Sequence, residues 1–188
     1  MTRIIAGVAR GRRLQVPAGR DTRPTSDRVR EALFSRLEHH RVLGGAAVLD
    51  LYAGSGALGL EALSRGAASA VLVESDRATA ALVRRNAETL GLNGASVLAA
   101  PVARVLARPG SPVDLVLADP PYPLGEDDLA AVLGLLVTNG WLAEAAVVVV
   151  ERSARSPEPA WPTGLVLSDE RSYGETRLWF ADPGRPAR

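Results

Sequence analysis

The sequence predicts an α/β protein built on a mainly parallel sheet that helices cover on both faces. From about residue 46 onwards, apolar runs of five to seven residues alternate with segments of helical length and pattern. Uninterrupted apolar runs are typical of strands buried on both faces, which occur mainly in parallel sheets. A glycine-rich stretch also follows the first run and opens a helix, an arrangement common in this fold class.

The first three predicted strands alternate with two helices. The run "AAVLDLY" (46–52) predicts a buried strand, and "AGSGALG" after it opens a helix that ends at Arg65. The run "ASAVLVES" (68–75) predicts the second strand. The segment "RATAALVRRNAETLGL" (77–92) predicts a helix, because apolar side chains recur at helical spacing and a glycine stands near its end. The run "ASVLAA" (95–100) predicts the third strand.

The second half of the sheet follows the same pattern. The run "VDLVLAD" (113–119) predicts the fourth strand, "EDDLAAVLGLLVTN" (126–139) a helix closed by the next glycine, and "AAVVVVE" (145–151) the fifth strand. Two later runs, "GLVLSD" and "TRLWFA", predict a terminal hairpin.

The N-terminal quarter of the chain differs in charge from the rest. We expect residues 1–44 to form a basic extension, with two short strands around a turn at Arg10-Gly11 and a helix over 27–40, and residues 45–188 to form the main domain. The extension has ten arginines against four acidic residues, a net charge of +6, whereas the rest has a net charge of −5. A basic extension on an acidic domain is typical of a protein that contacts nucleic acid.

The composition argues against several other classes of protein. Without cysteine there is no disulfide and no thiolate metal site, and the two histidines are adjacent, which disfavours a histidine metal centre or a Ser-His-Asp triad. No apolar stretch reaches the roughly 18 residues that span a bilayer, and the N-terminus lacks a secretory signal. We therefore expect a cytoplasmic protein with no membrane and no metal partner.

The glycine-rich stretch predicts a nucleotide-type ligand site. Gly54, Gly56 and Gly59 have the spacing of a dinucleotide fingerprint, and Glu74 follows at the distance of the acid that binds ribose hydroxyls. Asp50 favours a different ligand, because a carboxylate beside a phosphate is unfavourable in a cleft of low dielectric. S-adenosylmethionine has an ammonium, a sulfonium and a ribose but no phosphate, so it suits both acids. The residues expected at this cofactor site are Asp50, Tyr52, Ala53, Gly54, Ser55, Gly56 and Glu74.

The stretch "DPPY" at the end of the fourth strand predicts a site for an aromatic amine. Asp119 should lie on the same sheet edge as Asp50, where ligands of open α/β sheets bind. Pro120 and Pro121 lack amide hydrogens, so this wall of the site offers only hydrogen-bond acceptors, which suit the N–H groups of an exocyclic amine. Tyr122 can stack on the base. We expect Asp119 to orient the amine, since a carboxylate with an ordinary pKa of ~3.9 is a weak base.

Together these motifs resemble a known family. "DLYAGSG" with "DPPY" resembles amino-group methyltransferases that use S-adenosylmethionine. "RIIAGVARGRRL" (3–14) and "RPTSDRVREALF" (23–34) resemble the RsmD-type enzymes, the bacterial 16S ribosomal RNA guanine-N2 methyltransferases. The resemblance implies a Rossmann-like, seven-stranded class I methyltransferase sheet, mostly parallel with one antiparallel strand. It also implies transfer of a methyl group to the N2 amine of one guanine in 16S ribosomal RNA of an assembled or assembling small ribosomal subunit.

One position departs from the family pattern. Pro101 stands where the family usually has a polar residue near the adenine, so the adenine contacts stay unassigned.

We expect a monomer whose RNA-binding surface is formed by arginines of the extension. These are Arg3, Arg10, Arg12, Arg13, Arg20, Arg23, Arg28 and Arg30.

Two other functions stay open from the sequence. The first is an amino-methyltransferase of DNA or another RNA, acting on adenine N6 or cytosine N4, although the chain has no room for a domain that reads DNA sequence. The second is a nicotinamide-dependent reductase or a nucleotide-binding module without catalysis. Asp50 and the "DPPY" stretch both argue against it.

Overall fold

A computed structural model describes residues 2–17 and 26–184 of the chain. Arg20 and Arg23, two of the arginines expected to bind RNA, lie outside the described residues. No helix in the described ranges combines the length and apolarity that a membrane crossing requires.

Seven strands form one sheet in the described part of the chain. Six of them run parallel, and the last strand is antiparallel to both of its neighbours, as expected. The strands are β1 (Ala47–Leu51), β2 (Ser69–Glu74), β3 (Ala95–Ala99), β4 (Val113–Ala118), β5 (Leu142–Ser153), β6 (Leu165–Tyr173) and β7 (Thr176–Pro183). Their order across the sheet is β3-β2-β1-β4-β5-β7-β6. The strand order therefore reverses between β1 and β4, where ligands of open α/β sheets bind.

Four of the five helices in the described ranges match the sequence patterns. They are α1 (Asp27–His39), α2 (Ala57–Ser64), α3 (Arg77–Leu90), α4 (Val102–Leu106) and α5 (Glu126–Thr138). The side chain of Ser26 accepts a hydrogen bond from the Val29 amide to cap α1, and Asp76 caps α3 in the same way through the Thr79 amide. The short helix α4 was not predicted, because five residues are too few to show a helical period.

The central strands β1, β2 and β4 bury side chains on both faces of the sheet. Val48 packs in the core on one face and Leu49 in the core on the other, and Leu72 and Val73 alternate in the same way. The first core includes apolar residues of α1, α2 and α3, and the second includes those of α4 and α5. This arrangement leaves the carboxyl ends of β1, β2 and β4 at one edge of the sheet.

The N-terminal residues form a compact turn whose strand pairing is limited to one bridge, between Arg3 and Arg13. Backbone hydrogen bonds join Ile4 to Arg12 and Gly11, and Leu14 to Thr2. Apolar side chains of this turn and of α1 join the core on the same face as α2 and α3. These side chains are Ile4, Ala9, Leu14, Val29, Leu33, Phe34 and Leu37.

Candidate active site

The strand register brings the three expected acids to one edge of the sheet. Leu51 at the end of β1 lies opposite Val73 of β2 and Ala118 of β4. Asp50 directly precedes Leu51, Glu74 directly follows Val73, and Asp119 directly follows Ala118. They are close enough to interact electrostatically, since the charges of Asp119 and Glu74 both raise the pKa of Asp50.

The glycine loop, residues 52–56, needs its glycines for conformation and for close packing. Gly54 has φ +56° and Gly56 has φ +82°, values that favour glycine, and Tyr52 between β1 and the loop has φ +62°. A Cβ on Gly56 would lie 2.9 Å from Cγ1 of Val83, and a Cβ on Gly59 would lie 2.8 Å from Cδ2 of Leu72. The spacing of the glycines therefore lets α2 pack directly on the sheet.

Asp50 is buried beneath the start of α2. Its side chain is 1% exposed, and its Oδ2 accepts a hydrogen bond of 2.8 Å from the Gly59 amide. Burial, with a smaller contribution from the charges of Asp119 and Glu74, raises its pKa to about 7, and the Gly59 hydrogen bond opposes this shift. A site with this excess of carboxylates favours a cationic ligand and disfavours a phosphate, which fits the ammonium and sulfonium of S-adenosylmethionine.

Glu74 fixes the glycine loop to the end of β2. Its Oε2 accepts a hydrogen bond of 3.0 Å from the Gly54 amide, and its Oε1 accepts one of 2.8 Å from the Asp76 amide. A carboxylate oxygen can accept more than one hydrogen bond, so this side chain has the chemistry to accept from a ribose hydroxyl as well. The ribose contact stays a prediction. Of the other residues expected at the cofactor site, Ala53 is buried with its amide on the Val73 carbonyl, and Ser55 is half-buried.

The "DPPY" loop passes from the interior to the surface. Asp119 is half-buried, Pro120 is buried, and Pro121 and Tyr122 are exposed, the tyrosine at 89%. The Leu124 amide donates to the Pro121 carbonyl and closes a turn around the tyrosine. The ring of Tyr122 is therefore accessible to an incoming base, while Asp119 lies deeper, near Asp50.

Arg152 anchors the far end of this loop, which the sequence patterns did not indicate. Its buried guanidinium donates to the Leu124 carbonyl at 3.2 Å and forms an ion pair with Glu126 at the start of α5. Burial and the nearby charge of Asp128 together raise the pKa of Tyr52 to about 12, while the charge of Arg152 opposes this shift. An arginine only two residues after a long apolar run was the available signal, because a cation near the end of a buried strand needs a partner.

The six expected RNA-binding arginines that lie within the described residues divide into two groups. Arg3, Arg10, Arg12, Arg13 and Arg28 are exposed. Arg30 is 1% exposed, and its Nη2 donates to Asp27 at 2.7 Å and to the Arg3 carbonyl at 2.9 Å. The guanidinium of Arg30 therefore belongs to the interior, and we exclude it from the RNA-binding surface.

The N-terminal turn is held on α2 by side chains that the sequence analysis also missed. Buried Glu61 accepts hydrogen bonds from the amides of Ile5 and Ala6, at 2.8 and 3.0 Å, and pairs with Arg65. The hydroxyl of Ser64 accepts from the Ala9 amide and donates to the Ala6 carbonyl. A glutamate inside the apolar "ALGLEALS" was the signal, since a buried charge needs donors.

Two further expectations concern the residue near the adenine and a possible metal site. Pro101 is exposed and directly precedes α4, so it offers the adenine neither a side-chain nor an amide donor. Within the described ranges, no three His, Cys, Asp or Glu side chains are grouped so as to hold a metal ion.

Comparison with known proteins identifies the family to which this chain belongs. The family described as "Conserved hypothetical protein 95" matches residues 2–182. The Ribosomal RNA small subunit methyltransferase D of Escherichia coli K12 is 44% identical over 173 residues, which cover 92% of this chain and 85% of that protein. The protein of the same name from Haemophilus influenzae is 37% identical, with 92% and 89% covered. In three dimensions, yhhF of Escherichia coli, described as a methyltransferase, superposes with a TM-score of 0.88 at 39% identity over 98% of this chain and 99% of that one.

These comparisons confirm the class I methyltransferase fold and the enzyme class. The chain therefore belongs to the RsmD family of ribosomal RNA small subunit methyltransferases.

Proposed function

We propose that the chain transfers a methyl group from S-adenosylmethionine to the exocyclic N2 amine of one guanine in 16S ribosomal RNA. The names of the Escherichia coli and Haemophilus influenzae relatives support small-subunit ribosomal RNA as the substrate. The observation that carries the proposal is the strand register, in which Leu51 of β1 lies opposite Val73 of β2 and Ala118 of β4. The acids expected to bind the cofactor and the "DPPY" loop therefore lie at the same edge of the sheet.

The cofactor fits the side of the cleft formed by β1 and β2. Asp50 stabilises a cationic group, Glu74 accepts from ribose hydroxyls, and the glycine loop allows close approach of the ligand to the backbone. S-adenosylmethionine supplies an electrophilic methyl group on a sulfonium.

The substrate amine fits the side formed by β4. The Asp119 carboxylate and the Pro120 carbonyl accept the two N–H groups of the amine, which orients the nitrogen lone pair towards the methyl donor. The exposed ring of Tyr122 stacks on the guanine, which has to be unpaired or flipped out to enter. Alignment of this kind can supply on the order of 7–11 kcal/mol of the barrier, so Asp119 does not have to act as a strong base.

The exposed arginines of residues 1–44 provide the RNA-binding surface in this proposal. Their net charge contrasts with the acidic remainder of the chain, and phosphate contacts dominate the affinity of such surfaces. We propose that the substrate is the RNA within an assembled or assembling small ribosomal subunit. We also propose that the chain acts as a cytoplasmic monomer, residues 1–44 contributing RNA affinity and residues 45–188 the catalytic domain.

The decisive experiment maps methylated nucleosides by mass spectrometry in 16S ribosomal RNA from cells that lack the protein. Loss of one N2-methylguanosine, restored by the wild-type chain but not by Asp119→Ala, supports the proposal. Asp119→Asn is the matched variant, because it keeps the shape of the side chain and removes the charge. Loss of an N6-methyladenosine or N4-methylcytidine instead would assign the chain to a different amino-methyltransferase activity.

A further inference from the structure

The side chain of Asn86 in α3 connects two parts of the chain that are far apart in sequence. Its Nδ2 donates to the Gln15 carbonyl at 2.9 Å and to the Ser55 carbonyl at 3.0 Å, while its Oδ1 accepts from the Gln15 amide at 2.9 Å. Gln15 follows the arginines of the N-terminal turn, and Ser55 lies in the glycine loop. Asn86 is therefore bound to the expected RNA-binding segment and to the expected cofactor loop at once.

The geometry of this connection leaves the Asn86 side chain little freedom. The amide is planar and both of its N–H groups are in use, so a shift of Gln15 relative to Ser55 breaks or bends at least one hydrogen bond. Asn86 is 4% exposed, so water does not readily replace a lost partner. A buried amide with an unsatisfied donor is unfavourable, and the two segments are thus held in one relative position.

Other contacts hold the N-terminal segment without reaching the glycine loop in the same way. Ser64 fixes Ala6 and Ala9 to the end of α2, and the guanidinium of Arg12 donates to the Thr89 carbonyl of α3 at 2.6 Å. Asn86 differs from these anchors because the same side chain also binds a carbonyl of the glycine loop. Asn86 lies on the buried face of α3, which also includes Val83 and Leu90.

We propose that Asn86 is a positioning residue that couples RNA binding on the N-terminal segment to cofactor binding on the glycine loop. This inference rests on the proposed function for the identity of the two ligands, but the coupling itself is a property of the fold. Coupling between two sites is reciprocal, so the cofactor should strengthen RNA binding by the same factor by which RNA strengthens cofactor binding. We expect a factor of roughly fivefold or more, which is the lower range for coupled sites.

The first test needs no RNA and uses hydrogen exchange of the full chain with and without S-adenosylhomocysteine. In the wild type, the cofactor product should slow exchange of amides in residues 2–16, including Gln15. Asn86→Ala and Asn86→Asp should abolish this response. The aspartate keeps the acceptor for the Gln15 amide and removes both donors, whereas the alanine removes all three hydrogen bonds without placing a carboxylate beside the Gln15 and Ser55 carbonyls. The two variants perturb the fold in different ways, so either one that folds gives the result.

Ser64→Ala is the matched control for this test. It loosens the N-terminal segment on α2 but leaves the Asn86 contacts in place, so its basal exchange should rise while its response to the cofactor product persists. Equal responses in the wild type and both Asn86 variants would overturn the inference. Loss of the response in Ser64→Ala as well would also overturn it, because general loosening of the segment would then explain the effect.

The second test measures the affinity for S-adenosylmethionine with and without small ribosomal subunits. The subunits should raise the affinity of the wild type and of Ser64→Ala roughly fivefold or more, and should leave that of Asn86→Asp unchanged. If the subunits have no effect on any variant while the exchange response depends on Asn86, the substrate assignment fails and the coupling stands. If the subunits raise the affinity of Asn86→Asp as they do that of the wild type, the coupling role is wrong.

Discussion

Asp50 should make cofactor binding depend on pH. Its pKa of about 7 in the free protein means that it is mostly protonated at pH 6 and mostly ionised at pH 8. A cationic ligand binds the ionised form, so below pH 7 binding has to release a proton. We therefore expect the affinity for S-adenosylmethionine to rise about tenfold between pH 6 and pH 8, measured by calorimetry.

The control for this prediction is Asp50→Asn, which can still accept the hydrogen bond from the Gly59 amide. Its affinity should be lower at pH 8 and nearly constant across the same range. A wild-type affinity that does not change with pH would show that Asp50 does not face the cationic part of the ligand.

Tyr122 offers a test of the substrate side of the cleft that leaves the fold intact. Because the ring is 89% exposed, Tyr122→Ala should change the melting temperature little but slow methyl transfer severely, since base stacking is worth roughly 1–3 kcal/mol. Tyr122→Phe keeps the ring and should retain most of the rate. A phenylalanine variant as slow as the alanine variant would assign the role to the hydroxyl instead of to stacking.

At the same scale, the sequence predicted that these acids lie at one edge of the sheet but did not predict all of their hydrogen-bond partners. Asp50 and Glu74 were found because the carboxyl ends of parallel strands meet at one edge. Their hydrogen bonds to the Gly59 and Gly54 amides depend on the path of the loop, which spacing does not specify. Arg30 was misplaced because a charge count does not show that Asp27, three residues earlier, binds the guanidinium in the interior.

Among the elements, the contact between Arg152 of β5 and the start of α5 controls the shape of the "DPPY" loop. Arg152→Ala removes the hydrogen bond to the Leu124 carbonyl and leaves the Glu126 carboxylate without this partner. We expect a loss of about 1–3 kcal/mol in the free energy of unfolding, measured in denaturant, because hydrogen bonds to charged groups have this magnitude. The rate of methyl transfer should fall while the affinity for S-adenosylmethionine changes little.

Exposed Arg155, three residues later, provides the control. Its replacement by alanine should change the unfolding free energy by no more than about 0.5 kcal/mol, as is usual for surface positions. Equal effects of the two variants would mean that the contacts of Arg152 with Leu124 and Glu126 do not hold the loop.

The element boundaries show which part of the fold is encoded locally. The buried strands were predicted to within about one residue, because apolar runs end at polar or glycine residues. Strand β5 extends from Leu142 to Ser153, beyond its apolar run, because it pairs with β4 at Leu142 and with β7 as far as Ser153. The N-terminal turn has a single bridge and depends instead on Glu61 and Ser64, contacts between residues more than fifty positions apart that no local pattern reveals.

For the whole molecule, the asymmetry of charge predicts how RNA binding should depend on salt. Residues 1–44 have a net charge of +6 on a chain whose total is +1. Arg12 already donates to the Thr89 carbonyl, whereas Arg10 and Arg13 are exposed on the same turn. Arg10 and Arg13 are therefore better candidates than Arg12 for contacts with RNA phosphates.

Each phosphate contact on a single strand contributes about −0.7 to the slope of log affinity against log salt concentration. The double variant with Arg10 and Arg13 replaced by alanine should therefore flatten this slope by roughly 1.4 and weaken binding of small ribosomal subunits most at low salt. Affinity for S-adenosylmethionine alone should stay the same, because neither side chain lies at the glycine loop. Arg155→Ala, which removes one positive charge from another surface, should leave the slope unchanged. A slope that responds equally to both variants would mean that net charge alone attracts the RNA, and that the N-terminal turn does not contact its phosphates.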